Sequence, residues 1–242
     1  MNTWRQQEGL WILEPSRSTC GLIEFIGGSG LAATPQFSYR RLLQALAEAG
    51  WWIHAWSYVP GFDHQAQANT AWRCFREARL GISTTTCPAR LRVGHSLGCK
   101  LHLLAPDGGR GCSGLVALSF NNFSAERSIP LLAEIGQQLN VRSEFSPSPR
   151  ETWRQVTLSY SQPRNLLVRF SRDNLDQSNR LLAALRERPE DNSTLVELPG
   201  DHLTPSSAGL RRQLLGDWAD DPSRQRDMER LTALISGWQP VA

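Results

Sequence analysis

The sequence has few cysteines and no long apolar run, and each shortage excludes a class of protein. Its five cysteines are odd in number and form no C-x-x-C pair, which argues against a disulfide framework or zinc site and favours a reducing compartment. No stretch approaches the roughly 18 apolar residues of a membrane span. The first residues, MNTWRQQEGLWIL, lack the basic and long apolar segments of a signal peptide. We expect a cytoplasmic protein, and no pattern indicates a metal or other cofactor.

Lysine is almost absent, and the positive charge is dispersed. Lys100 is the single lysine among 26 basic residues, and the arginines stand among acids, as in DDPSRQRDMER. A nucleic-acid interface needs a clustered basic patch, so we expect no nucleic-acid partner. With 40% hydrophobic and 20% charged residues, the composition is typical of a globular protein. The length of 242 residues suits a single domain spanning 1–242.

Short apolar runs alternate with helical patterns along most of the chain. Apolar residues recur at helical spacing in Phe37–Gly50 and His64–Gly81. Strands that alternate with helices indicate crossover connections, so the pattern predicts an α/β fold with a mostly parallel sheet and helices on both faces. The predicted strands are Gly21–Gly28, Trp51–Val59, Arg90–Gly94, Gly114–Phe120, Asn165–Phe170 and Thr194–Leu198.

The alternation is interrupted at about Asn121–Gln162. This stretch holds helical patterns in Ile129–Val141 and Arg150–Tyr160, separated by a Pro-Ser-Pro linker at Pro147–Pro149. A connection of this length is either an insertion with its own structure or a lid. We predict a helical, lid-like insertion over a substrate pocket, with additional scaffold helices as the alternative. The apolar face that would cover the pocket consists of Leu131, Leu132, Ile135 and Leu139.

The pentapeptide GHSLG, at Gly94–Gly98, carries the first candidate for chemistry. Ser96 lies between a short apolar strand and the segment LGCKLHLL, whose leucines follow one helical face. A serine at a strand-to-helix turn, with glycines two residues to either side, matches the nucleophile elbow of the α/β hydrolases. The turn also lies at the carboxyl end of a parallel strand, where open α/β sheets bind ligands. The pattern predicts Ser96 as a nucleophile.

A serine nucleophile needs a base, and His202 has the right position along the chain. It follows the last predicted strand, in LVELPGDHLTP, and an acid is expected after the preceding strand. That loop, SRDNLDQS, offers Asp173 and Asp176, which gives the order serine, acid, histidine. We predict Asp173, three residues past Phe170. Asp176 is the alternative acid, although it stands where a helix begins and could serve as its cap.

The remaining site residues are predicted from the loops at the same edge of the sheet. An oxyanion hole needs two backbone donors, and the N–H groups of Leu97 and Gly28 are the candidates. The loop FIGGSG lacks the glycine spacings of dinucleotide and P-loop phosphate sites. Ser29, His64 and His95 are predicted to line the pocket.

Taken together, the glycine loop, the GHSLG turn, the late aspartate and the later histidine resemble the α/β-hydrolase superfamily. More narrowly, FIGGSGLAATPQFSYRRLLQALAEAGWW, PGFDHQAQA, GHSLGCKLH, FNNFS, EFSPSPRET and NLLVRFSRDNLDQS resemble a cyanobacterial and chloroplast family, number thirteen-fifty of the domains of unknown function. The resemblance implies a serine-hydrolase-like fold and a photosynthetic source. It also makes the Asp63–His64 pair a feature of interest. Finally, it makes association with thylakoids an alternative to a purely cytoplasmic location.

The residues and the resemblance lead to one expected function and two alternatives. We expect hydrolysis of a carboxylic ester through an acyl-enzyme on Ser96. The nine tryptophans and the apolar insertion favour a lipophilic substrate, such as an acyl lipid or prenyl ester, with peripheral contact to a membrane. A thioesterase or acyltransferase would use the same residues. The third hypothesis is a catalytically silent binding or assembly factor on the same fold.

Overall fold

The computed structural model describes residues 3–16, 18–80, 82, 89–128, 144–206 and 222–238. Its centre is an eight-stranded sheet in the order β1-β2-β4-β3-β5-β6-β7-β8, in which every neighbouring pair from β4 to β8 is parallel and β2 alone runs against the others. This confirms the predicted α/β class and mostly parallel sheet. The strands are β1 Arg5–Gln7, β2 Leu10–Leu13, β3 Gly21–Ile26, β4 Trp51–Trp56, β5 Ala89–His95, β6 Gly114–Leu118, β7 Asn165–Phe170 and β8 Thr194–Leu198.

All six predicted strands are present, and two short strands at the sheet edge were not predicted. β1 is exposed along its length and β2 pairs antiparallel with β4. β1 has no apolar residue, and β2, with only four residues, is too short to show a clear period of two. β7 and β8 have the predicted bounds, and β5 is one residue longer at each end than predicted. The predicted β3, β4 and β6 extended into the loops that follow them.

Helices lie on both faces of the sheet, as predicted. On one face, α2 and α8 pack together and bury alternate residues of β3 and β5, including Ile23 and Phe25. On the other face, α3 and α4 cover Ile26, and α6 and α7 extend this layer over β6 and β7. The helices are α1 Pro35–Ser38, α2 Arg40–Glu48, α3 His64–Arg79, α4 Leu97–Leu103, α5 Ala125–Ser128, α6 Pro149–Leu158, α7 Ser178–Arg186 and α8 Pro222–Gly237.

The predicted insertion is described only in part. Ile129–Val141, with the apolar face assigned to a lid, lies outside the described residues, so the lid stays a prediction. The predicted linker is the start of α6, where the Ser148 hydroxyl accepts the Glu151 N–H and the Glu151 carboxylate accepts the Ser148 N–H in a capping box. Val156 of α6 is fully buried in the cluster formed with α7. This part of the insertion is therefore scaffold.

The carboxyl ends of the parallel strands lie at one edge of the sheet, and the loops that carry the predicted site lie at this edge. These are the loops after β3, β4, β5, β6, β7 and β8. In the part of the chain that the structure describes, no helix has both the length and the apolar content to cross a membrane.

Candidate active site

Ser96 occupies a strained turn between β5 and α4. Its backbone has φ 54° and ψ −118°, in the left-handed half of conformational space that residues other than glycine rarely adopt. The flanking glycines make the turn sterically feasible. A Cβ on Gly94 would lie 2.6 Å from the Cys99 nitrogen, and a Cβ on Gly98 would collide with the Ile26 carbonyl oxygen. The spacing of the two glycines thus follows from the tight packing of the turn against β3 and α4.

Three of the predicted residues come together in one hydrogen-bonded chain. His202 Nε2 lies 3.1 Å from Ser96 Oγ, and His202 Nδ1 lies 2.8 Å from Asp173 Oδ2. The carboxylate can only accept, so Nδ1 carries a proton and donates it to Asp173. In the neutral ring Nε2 is then the acceptor for the Ser96 hydroxyl. This arrangement is the one required for a base to take the serine proton.

Asp173 is held as an anion by the groups around it. Its side chain is fully buried, which by itself raises the pKa, but hydrogen bonds from His202 and from the Leu175 N–H outweigh burial and hold the pKa of Asp173 below its usual value. A backbone bond from the Asp173 N–H to the Phe170 carbonyl closes the turn directly after β7. The carboxylate is therefore ionised at neutral pH and points at the histidine.

Asp176, the alternative acid, faces its own helix. Its two carboxylate oxygens accept from the N–H and the hydroxyl of Ser178, at 2.9 and 2.8 Å, where α7 begins. Burial raises the pKa of Asp176. The hydrogen bond to His202 is made by Asp173, so of the two aspartates it is Asp173 that lies in the position of a triad acid.

Exchanging each aspartate for asparagine separates these two roles. We expect Asp173→Asn to lower ester turnover by roughly 10⁴, because an asparagine at this position no longer selects the histidine tautomer that accepts the serine proton. Asp176→Asn is the matched control, and we expect it to keep turnover within a few-fold. Steady-state kinetics on both variants, with thermal unfolding to check the fold, makes the comparison. A larger loss of turnover in Asp176→Asn would reverse the assignment.

His95 lies behind the turn and supports the backbone of His202. Its Nε2 lies 2.8 Å from the His202 carbonyl oxygen, and its Nδ1 lies 2.8 Å from the Tyr39 hydroxyl. Burial lowers the pKa of His95 to about 3, so the ring is neutral and has a single N–H. A carbonyl can only accept, so that N–H is on Nε2, and Nδ1 accepts the Tyr39 proton. His95 is fully enclosed rather than part of an open pocket wall.

Gly28 lies against Ser96, but its N–H is engaged elsewhere. A Cβ on Gly28 would stand 3.0 Å from the Ser96 Cβ, which places this glycine at the turn as expected. Its N–H, however, donates to the buried Tyr39 hydroxyl at 2.8 Å. The prediction that the Gly28 N–H is an oxyanion donor conflicts with this hydrogen bond. Leu97 is the first residue of α4, so its N–H has no partner within the helix and keeps its predicted role as a candidate donor.

The other predicted pocket residues occupy separate surroundings. Ser29 is exposed in the loop after β3. His64 is buried at the start of α3, where its ring packs on Phe145 with centroids 4.2 Å apart. Burial and the neighbouring Lys100 lower the pKa of His64 to about 3. The histidine that accepts the Ser96 hydroxyl proton is His202, whereas His64 packs on Phe145 at the start of α3, the helix beside α4.

Asn121 was not predicted and lies at the centre of the site. Its side-chain Nδ2 lies 2.9 Å from Ser96 Oγ, and the residue is half-buried. It follows β6, which pairs with β5 up to His95, so the end of β6 lies beside the serine turn. The rule that carboxyl ends of neighbouring parallel strands meet, which placed Asp173, would also have placed this asparagine.

Among the residues that the structure describes, no three histidine, cysteine, aspartate or glutamate side chains converge as a metal site requires. The hydrogen-bonded groups at the candidate site are the Ser96 hydroxyl, the His202 imidazole, the Asp173 carboxylate and the Asn121 amide.

The chain has the α/β-hydrolase fold, as its similarity to solved structures shows. An α/β-hydrolase superfamily protein from Enterococcus faecalis superposes with a TM-score of 0.61 at 15% identity, over 98% of this chain and 99% of its own. A thermophilic esterase from Thermogutta terrifontis, solved with butyrate bound, gives 0.58 at 15% identity, over 98% and 94%. The monoacylglycerol lipase of Paleococcus ferrophilus gives 0.58 at 15% identity, over 94% and 98%.

The chain belongs to the family described as "Protein of unknown function (DUF1350)", which matches residues 3–238. Among curated protein sequences, none matches this chain.

Proposed function

We propose that this protein is a serine hydrolase that cleaves a carboxylic ester through an acyl-enzyme on Ser96. The observation that carries the proposal is the hydrogen-bonded chain from Ser96 Oγ through His202 to the buried Asp173 carboxylate. The strained backbone of Ser96 supports the proposal, because strained residues are found mainly at functional sites, where the surrounding structure holds them in place. The esterase and lipase of the same fold agree with the proposal but share only 15% identity with this chain.

The reaction begins when Ser96 Oγ attacks the carbonyl carbon of the ester. The Oγ proton passes to His202 Nε2, the Oγ–carbon bond forms, and the carbonyl π electrons move onto oxygen. When this adduct collapses, the bond to the alcohol oxygen breaks and His202 gives its proton to the alcohol. Water then attacks the acyl carbon while His202 Nε2 takes its proton. The bond from the carbon to Ser96 Oγ breaks, His202 returns the proton to Oγ, and the acid is released. Asp173 remains an anion throughout and stabilises the charged imidazole.

Apolar side chains exposed beside the triad support a lipophilic substrate. Leu203 adjoins His202, and Leu175 donates its N–H to Asp173, yet each leucine is 45% exposed. Val59 and Phe62, in the loop after β4 at the same edge, are also exposed. Their exposure on loops at this edge of the sheet favours contact with apolar groups. We therefore propose an acyl lipid or a prenyl ester as the substrate. We also propose that the protein is cytoplasmic and contacts a membrane surface.

A panel of acyl substrates tests the proposed function. Purified protein is assayed with p-nitrophenyl esters from acetate to laurate and with thioesters of the same acyl chains, each against Ser96→Ala as the control for contaminating esterases. We expect turnover of the oxygen esters that depends on Ser96 and increases with acyl length. Preferential cleavage of thioesters would move the protein to the thioesterase class. Absence of turnover on every substrate by the folded protein would contradict the proposal and favour a binding role.

A further inference from the structure

The proposed acyl transfer needs two donors for the oxyanion, and one of the two predicted backbone donors is engaged elsewhere. Preorganised donors aimed at the developing negative charge are a large contribution in reactions of this type. The Leu97 N–H, at the start of α4, is available for that purpose. The Gly28 N–H is bound to the Tyr39 hydroxyl, which in turn donates to His95. Of the two predicted backbone donors, this leaves the Leu97 N–H, and a side chain that contacts Ser96 can supply the second donor.

The side-chain amide of Asn121 meets this requirement, and the hydrogen bonds fix its orientation. The Ser96 hydroxyl has one proton, which it donates to His202 Nε2. Oγ can then only accept from Asn121, 2.9 Å away, so the NH₂ end of the amide faces the serine. A donor therefore reaches the nucleophilic oxygen itself before any substrate is bound.

We propose that Asn121 Nδ2 is the second oxyanion donor, acting together with the Leu97 N–H. This inference rests on the ester hydrolysis proposed above. When Oγ bonds to the carbonyl carbon, the carbonyl oxygen gains the π electron pair. Both oxygens are then bonded to the same carbon, so the oxyanion lies within reach of a group that already contacts Oγ. The amide then shifts its hydrogen bond from Oγ to the oxyanion. The Oγ proton has gone to His202, so Asn121 donates a hydrogen bond and transfers no proton.

The backbone around Asn121 is clamped, which keeps the amide in place. Gln177 binds the chain on both sides of it: its N–H donates to the Phe120 carbonyl at 2.7 Å, and its side-chain oxygen accepts the Asn122 N–H at 2.9 Å. Gln177 lies in the same loop as Asp173, four residues further on. One loop after β7 thus positions both the carboxylate behind His202 and the backbone that carries Asn121. A donor fixed in this way needs no reorganisation during the reaction.

Asn121→Ala and Asn121→Asp test the proposal, with Asn122→Ala as the matched control. The neighbouring amide donates to the Pro149 carbonyl and contacts no reacting atom. We expect both Asn121 variants to lose roughly 10²–10³ in kcat on p-nitrophenyl butyrate, with KM within a few-fold and the pH profile of Asn121→Ala unchanged. We expect Asn122→Ala to keep kcat within a few-fold. Thermal unfolding of each variant accompanies the kinetics.

A trifluoromethyl ketone, which forms a tetrahedral oxyanion adduct with a serine, provides a second readout. We expect its inhibition constant to rise in Asn121→Ala by the factor by which kcat/KM falls. Unchanged or increased kcat in Asn121→Ala, measured against an active wild type, would overturn the inference and leave the proposed function standing. An equal loss in Asn122→Ala would also overturn it, since the effect would then come from the loop. Inactive wild-type protein would contradict the proposed function itself.

Discussion

Ser96→Ala is expected to hydrolyse p-nitrophenyl esters on the order of 10⁶ times more slowly than the wild type, a loss comparable with removal of a whole triad. The reason is that Oγ makes the covalent bond to the acyl group, and alanine offers no atom in its place. The methyl side chain fits the same strained backbone, so the fold should be retained. Initial rates at saturating ester, with thermal unfolding alongside, measure the effect.

The matched control for this change is Ser113→Ala. Ser113 is a serine at the opposite edge of the sheet, immediately before β6, and its hydroxyl accepts the Arg90 N–H. We expect its loss to leave turnover within a few-fold, because it lies far along the strand from the site. Undiminished turnover in Ser96→Ala, after contaminating esterases are excluded, would show that the serine is not the nucleophile.

His202→Ala is expected to lower turnover by a similar factor, on the order of 10⁶. Without the imidazole, the Ser96 hydroxyl has no base at hydrogen-bonding distance, and the Asp173 carboxylate has no ring to orient. The comparison is His64→Ala, the removal of a buried histidine that packs on Phe145. We expect this variant to change KM or stability more than kcat. Steady-state kinetics on both variants decide between them, and a greater loss of kcat in His64→Ala would transfer the role of base.

The parts of the site that were predictable from the sequence are those set by local constraints. The serine turn requires small residues at Gly94 and Gly98 because β3 and α4 pack directly against them, and that requirement is visible as GHSLG. His202 follows from its place after the last strand. The sequence left Asp176 as an alternative to Asp173, because both lie in one short loop. The path of that loop, which begins with a turn closed by the Phe170 carbonyl, decides which carboxylate reaches His202.

Other features depend on contacts between distant segments, which no local pattern reveals. Tyr39 takes the Gly28 N–H because the segment between α1 and α2 folds back over the glycine loop, and this contact conflicts with the predicted oxyanion donor. Asn121 carries no motif of its own, and its importance depends on the neighbouring strand β5. The sequence pattern predicted that α6 is a helix. It did not predict that α6 is buried against α7, because this contact joins two helices that are distant in the sequence.

Reaction of the whole chain with a fluorophosphonate, followed by mass analysis of its peptides, tests whether Ser96 is an activated nucleophile. The reagent phosphonylates a serine only where a base activates the hydroxyl and donors receive the phosphoryl oxygen, so it reports on the site without knowledge of the natural substrate. We expect a single adduct on the peptide containing Ser96, absent in Ser96→Ala and formed much more slowly in His202→Ala. Folded wild-type protein that forms no adduct, or that reacts equally in Ser96→Ala, would contradict this expectation.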